Sequence, residues 1–163
     1  MTIHSTHPFA DPEPDPVRRF RGRLTGSVAL VTSDRSGLTV SSLMVATGDP
    51  ARVLVLVDPD SDLAEAVARS ERAVVQLLSW SHRDLAEAFA GTAPAPGGPF
   101  RMGAFEDTAW GPRLADARSW AGVRLESAVD VGWSRLLTLA VEEVVVGDDE
   151  EPLVHRRGRY VKP

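Results

Sequence analysis

Between Ser27 and Val57 the chain holds three short apolar runs, Val28–Thr32, Leu38–Val45 and Val53–Val57, separated by turn-forming residues. Runs this short, rich in Val and Leu and bounded by Gly, Pro, Asp and Ser, read as strands of one sheet. In the middle run, Gly37-Leu-Thr-Val-Ser-Ser42, a period of two puts Thr39 and Ser41 on one face and Val40 and Ser42 on the other. Two hydroxyls then stand side by side next to a backbone. Each donates and accepts, so the ledge suits a flat ring with a polar edge, or a phosphate. A solvated sheet edge is the alternative reading, and spacing does not name a ligand.

The 163 residues, 43% apolar and 25% charged, suit one globular domain with a real core and leave no room for a second. Met1–Pro16, with four prolines, three acidic side chains and no hydrophobic period, reads as a flexible arm, and 17–163 as the domain. The formal charge of −5, without a long basic block, argues against a general nucleic-acid binder. No cysteine is present, which excludes disulfides, thiolate nucleophiles and iron–sulfur ligation, so redox chemistry requires a bound cofactor. With no leader pattern and no bilayer-spanning apolar run, a soluble cytoplasmic protein is expected.

Along the chain, Val17–Leu24 suits one or two helical turns that pack Phe20 and Leu24 onto the sheet and leave its arginines solvated. Asp58-Pro-Asp-Ser-Asp62 is a turn and helix start, capped by Ser61 or Asp62, with Leu63, Ala66 and Val67 on the buried stripe and an end near Ser70. Free amides at such a terminus can hold a phosphate, although three carboxylates stand beside them. Ala73–Leu78 reads as a buried strand interrupted by Gln76, equally at home on an edge. Ser81 is expected to cap a second helix that buries Leu85 and Phe89 and stops at Gly91. The Pro/Gly-rich 91–103 segment reads as a flap or connector; Phe100, Phe105 and Trp110 are the residues it could bring over a ring, and their type favours anchoring the loop onto the barrel.

The C-terminal half alternates Val123, Leu125, Val129 and Val131 with polar or small residues, then turns at Gly132-Trp133-Ser134 into a second long strand, 135–146. A long antiparallel hairpin follows, with Trp133 packed at its turn. Paired hairpins and two short helices favour a mainly β, split antiparallel barrel, Greek-key-like, over a doubly wound parallel sheet. His4, His7, His82 and His155 lack ligand spacing with acidic partners outside the arm, and no Gly-x-Ser-x-Gly elbow occurs, so neither a metal site nor a serine hydrolase is expected.

Taken in order, Gly26-Ser-Val-Ala-Leu-Val-Thr32, Gly37-Leu-Thr-Val-Ser-Ser42, Val53–Val57 ending in Asp58-Pro-Asp-Ser61, and Pro152-Leu-Val-His-Arg-Arg-Gly-Arg-Tyr160 resemble the flavin reductase-like family of FMN-binding split barrels. The likeness runs from Val17 to Tyr160. It implies FMN, or FAD, held by Thr39, Val40, Ser41 and Ser42 along the ring and ribityl chain, with Asp58 and Ser61 near the phosphate. Gln76 and Leu77 would pass the ring, and Phe89, core first, would form a wall of the pocket. It further implies NAD(P)H as hydride donor, a homodimer with flavin at the interface, and a partner monooxygenase that uses the reduced flavin. One departure stands out. Many reductases of the family carry Gly-Asp-His where this chain has Gly132-Trp133-Ser134, so Ser134 replaces the histidine and the reductase step, though not flavin binding, is in question. A flavin carrier or sensor without turnover is the alternative, and a barrel that has lost its ligand the third.

Overall fold

The structure is a computed structural model that describes residues 15–148 and 151–163. The expected arm lies outside the described residues except for its last two, which start a helix: Asp15 accepts a hydrogen bond from the Val17 amide, and Pro16 opens α1 (Pro16–Arg23). Proline suits this position because the first helical amides have no partner to lose. No residue of α1 is buried, and Phe20 and Leu24 are 70% and 62% exposed. The expected helical turns are therefore present, but they do not pack on the sheet.

Then come β1 (Gly26–Ser27), β2 (Ala29–Ser33), β3 (Ser36–Val40), β4 (Leu43–Ala46) and β5 (Arg52–Val57). Next are α2 (Asp62–Ser70), β6 (Arg72–Leu77) and, after a 3₁₀ turn at Trp80–His82, α3 (Arg83–Ala90). The chain continues through β7 (Phe105–Thr108), β8 (Gly111–Leu114), the long strands β9 (Trp120–Val131) and β10 (Ser134–Val145), and a closing hairpin of β11 (Val154–Arg156) and β12 (Arg159–Val161).

One sheet of seven strands runs β3-β2-β6-β9-β10-β5-β4, every neighbour antiparallel. β3 and β4 occupy its opposite edges, yet only Ser41 and Ser42 separate them in sequence. Laid flat, seven strands spaced about 4.8 Å apart would hold those edges about 29 Å from each other. Three residue steps reach no more than about 11 Å. The sheet must therefore curl until its edges nearly meet, and no ladder joins β3 to β4 among the described residues. This is the split barrel, with Ser41 and Ser42 crossing its seam.

Burial explains the unbroken apolar runs. β2 is buried along its whole length because alternate residues face two cores. Val31 points into the barrel with Val55, Val123, Leu139 and, from α2, Leu63 and Val67. Leu30 points outward to Leu78, Leu85, Phe89 and Leu153 beneath α3. At roughly 1.5–3 kcal/mol for each fully buried aliphatic or aromatic side chain, these two clusters dominate stability.

Ser61 caps α2, accepting from the Ala64 amide at 3.2 Å, as expected. Before α3 the cap moves to Ser79, because a 3₁₀ turn intervenes and the His82 ring bonds back to the Ser79 amide. Gly91 ends α3 at φ 77°, a conformation glycine adopts without strain. Beyond the 91–103 connector, Phe105–Leu114, to which sequence reading assigns no element, forms a β7–β8 hairpin. Phe89, Phe100 and Phe105 meet edge to face at 4.8–6.0 Å, so the expected anchoring by Phe100 and Phe105 is present. Trp133 is 98% exposed at the β9–β10 turn and is not packed. From Glu126 on, β9 runs past its last partner on β6 and is exposed, while the facing β10 stays covered as far as Leu137.

Candidate functional site at the barrel seam

The four ledge residues part company at the seam. Val40 is buried, its side chain inside the barrel. Thr39 faces away from it, as a period of two requires, but its hydroxyl donates to the Ala86 carbonyl of α3 at 2.7 Å. Ser42 is tied into the opposite edge: its hydroxyl donates to the Leu56 carbonyl at 2.9 Å, and its own carbonyl accepts from the Leu56 amide at 3.1 Å. Only Ser41 is exposed with no protein partner for its hydroxyl among the described bonds. The expected pair of free hydroxyls is thus corrected to one, since strand β3 ends at Val40 and the edges claim the others.

Asp58 and Ser61 form a closed turn. Asp58 accepts from the Asp60 amide at 2.9 Å, and the Ser61 hydroxyl donates to the Asp58 carbonyl at 2.7 Å while capping Ala64. The first-turn amides of Asp62 and Leu63 remain as donors at this helix end.

Gln76 does not serve an open ring site. It is fully buried on β6, third strand from the β3 edge, with Nε2 donating to Thr32 Oγ1 at 3.1 Å and Oε1 accepting from the Leu114 amide at 2.7 Å. Thr32 in turn donates to the Pro112 carbonyl. The amide is consumed in fastening the β7–β8 hairpin to the barrel, where an unpaired polar group would be costly. Phe89 is likewise core: it is buried, and a methyl placed on Gly37 would come within 2.6 Å of its ring.

Leu77 is 48% exposed and lines a cleft of about 380 Å³ together with Ser79, His82, Asp116, Ser119 and Gly147. Sequence reading did not find the chain Ser79–His82–Asp116, because Asp116 lies 34 residues from His82 and no short motif joins them. Nδ1 of His82 takes the Ser79 amide at 3.0 Å and lies 3.1 Å from Ser79 Oγ, while Nε2 stands 3.1 Å from Asp116. With Nδ1 accepting a backbone proton, Nε2–H donates to Asp116. The lone pair that would deprotonate Ser79 is already engaged, so this is a cap and not a nucleophile triad.

Across the ladder from the seam runs an exposed apolar strip. Val129 opposes Leu136, Leu136 opposes Leu56, and Leu56 bonds Ser42. Val129 is 51% exposed, and Met44 and Val45 on β4 are more so.

The flavin reductase like domain matches residues 21–163. The chain belongs to the flavin reductase-like family. A family-wide match of this extent carries with it the family's class of chemistry, flavin-linked oxidoreduction. Among relatives, an FMN reductase (NADH) RutF 2 from Methylorubrum extorquens is 28% identical over 93% of this chain and 92% of its own. The NADH-dependent FMN reductase AsuE2 from Streptomyces nodosus subsp. asukaensis is 31% identical over 88% of this chain and 81% of its own. The fold matches that of the styrene monooxygenase flavin reductase from Pseudomonas putida S12, with a TM-score of 0.81 at 23% identity over 91% and 97% of the two chains. Like other members of the flavin reductase-like family it is a split barrel, and no helix among the described residues is long and apolar enough to cross a membrane.

Proposed function

We propose that the protein is an NAD(P)H-dependent flavin reductase that takes FMN in preference to FAD. The observation that carries this reading is the family match across 21–163, and the names of the two relatives, both NADH-linked FMN reductases, support it. The seam fits a flavin's polar edge: Ser41 offers an unspent hydroxyl beside the peptide groups of the β3–β4 crossing. The α2 terminus offers the amides of Asp62 and Leu63 to a phosphate, weakened by the carboxylates of Asp58, Asp60 and Asp62. Thr39, Val40 and Ser42 contribute backbone and shape, and Leu77 an apolar wall.

The chemistry a bound flavin supplies is acceptance of a hydride from the nicotinamide. This chain's residues orient the ring and exclude water around it. A second copy of the chain covering Met44, Val45, Leu56 and Val129 would close the seam, so a homodimer belongs to the proposal. Light scattering at micromolar concentration checks it, and a flavin-loaded monomer would contradict it. By analogy with the styrene monooxygenase reductase, reduced flavin would pass to a partner monooxygenase.

Ser134 in place of the family histidine favours a second reading, a flavin carrier or sensor without turnover. Anaerobic mixing of the flavin-loaded protein with NADH or NADPH separates the two. Bleaching of the oxidised flavin band supports the reductase, and bound flavin that stays oxidised supports the carrier. A protein that binds no flavin at tens of micromolar defeats both.

A further inference from the structure

An excess of positive charge is gathered at one corner of the molecule. Residues 15–24 and 154–162, which hold α1 and the β11–β12 hairpin, carry eight of the chain's 18 Lys and Arg side chains but one of its 23 acidic ones; the rest of the chain holds ten and 22. The fold brings these remote segments together. The Arg157 amide donates to the Gly22 carbonyl at 2.6 Å, and a methyl on Gly22 would sit 3.7 Å from Arg157 Cα. All eight cations are exposed, and none forms an ion pair among the described residues. Elsewhere Arg52, Arg69, Arg113, Arg124 and Arg135 each pair with a carboxylate. Along α1 the cations flank an apolar stripe of Val17, Phe20 and Leu24, at helical spacing and 62–71% exposed.

We infer that α1 and the β11–β12 hairpin form a docking surface for the acidic face of a protein partner. Unpaired like charges held this close repel one another, and a complementary surface relieves that repulsion while steering the encounter. A second copy does not fit, because a two-fold contact centred on this corner would oppose eight cations to eight. A small phosphate does not fit either: the side chains are spread over a helix and a hairpin, and it would leave the Val17, Phe20 and Leu24 stripe unused. Nucleic acid shares that last defect, because a phosphate backbone offers nothing apolar to the Val17, Phe20 and Leu24 stripe. The inference deepens the reductase reading, in which a second protein receives reduced flavin, but its test reads no flavin.

The probes are three fluorescent ligands of matched charge: a peptide of Glu interspersed with Leu, one of Glu interspersed with Ser, and a short DNA duplex. Anisotropy titrations use the full chain, its R18Q/R159Q and F20S variants, and R35Q/R101Q as a control for exposed cations elsewhere. The Glu-Leu peptide binds most tightly, weakens by about tenfold in R18Q/R159Q and by less than about twofold in R35Q/R101Q, and loses its advantage over Glu-Ser in F20S. Equal losses in both arginine pairs, no preference for the Leu-containing peptide, or tightest binding of the duplex would each overturn the docking surface. A parallel FMN titration keeps the two readings apart: peptide binding without flavin binding removes the reductase and leaves the surface, and the reverse removes the surface alone.

Discussion

Trp110 closes over Gly122 so tightly that a methyl group at that glycine would lie 2.3 Å from indole Cδ2. The indole N–H is fixed meanwhile by Glu142, at 2.8 Å, so the ring cannot simply slide away. Gly122→Ala therefore overpacks the β9 face, with an expected loss of about 1–3 kcal/mol. A lowered urea midpoint at unchanged slope is the expected result, and an unchanged midpoint would mean that the indole moves freely.

Glu142 carries a pH dependence as well. Its pKa lies below the ordinary 4.5, first because Trp110 donates to it and then because Arg124 does, with burial opposing. Glu126 is lowered in the same sense, chiefly by its hydrogen bond from Arg52. A lowered folded pKa means that the unfolded chain binds more protons in acid, so these contributions are present above the ordinary glutamate value and vanish as pH falls through the folded ones. Both groups are exposed, so the effect is small. Thermal midpoints between pH 7 and pH 3 should fall less steeply in E126Q/E142Q than in the wild type, and parallel curves would discount the two pairs.

Gln76→Leu keeps the volume of a fully buried side chain but strands the Leu114 amide and removes a donor to Thr32. One buried unsatisfied group costs about 1–3 kcal/mol. A drop of that size in denaturant stability is expected, with FMN affinity unchanged because the amide does not face the seam. A selective loss of FMN affinity would return Gln76 to the site.

Ser61→Ala removes the α2 cap and should cost about 1 kcal/mol. If the α2 terminus holds the flavin phosphate, the same substitution narrows the preference for FMN over riboflavin. Paired titrations with the two flavins measure this directly, and an unaltered preference would move the phosphate elsewhere.

Ser41→Asp tests the seam itself. An exposed side chain with no protein partner tolerates substitution to within about 0.5 kcal/mol, so the thermal midpoint should hold. A carboxylate facing the polar edge of a flavin removes a donor and adds repulsion, so FMN binding should be lost. Unchanged affinity would remove Ser41 from the site.

The mainly β character, the α2 cap at Ser61, the Gly91 stop and the long β9–β10 hairpin were all legible in the sequence, because each rests on local rules: strand periodicity, capping and turn chemistry act within a few residues, whereas the split barrel was legible through the ordered motifs that resemble the family. The fate of individual polar side chains did not follow from those rules. Thr39 and Gln76 have the right types and spacing for a ligand, but only the packing of α3 and of the β7–β8 hairpin against the barrel supplied the partners, Ala86, Thr32 and Leu114, that consume their hydrogen bonds. Phe20 and Trp133 failed to pack for the converse reason, since no layer among the described residues reaches them. The seam itself belongs to tertiary structure: Ser41 and Ser42 are a short link in sequence, and they become a crossing between opposite sheet edges only because seven strands curl to a closure that no local pattern encodes.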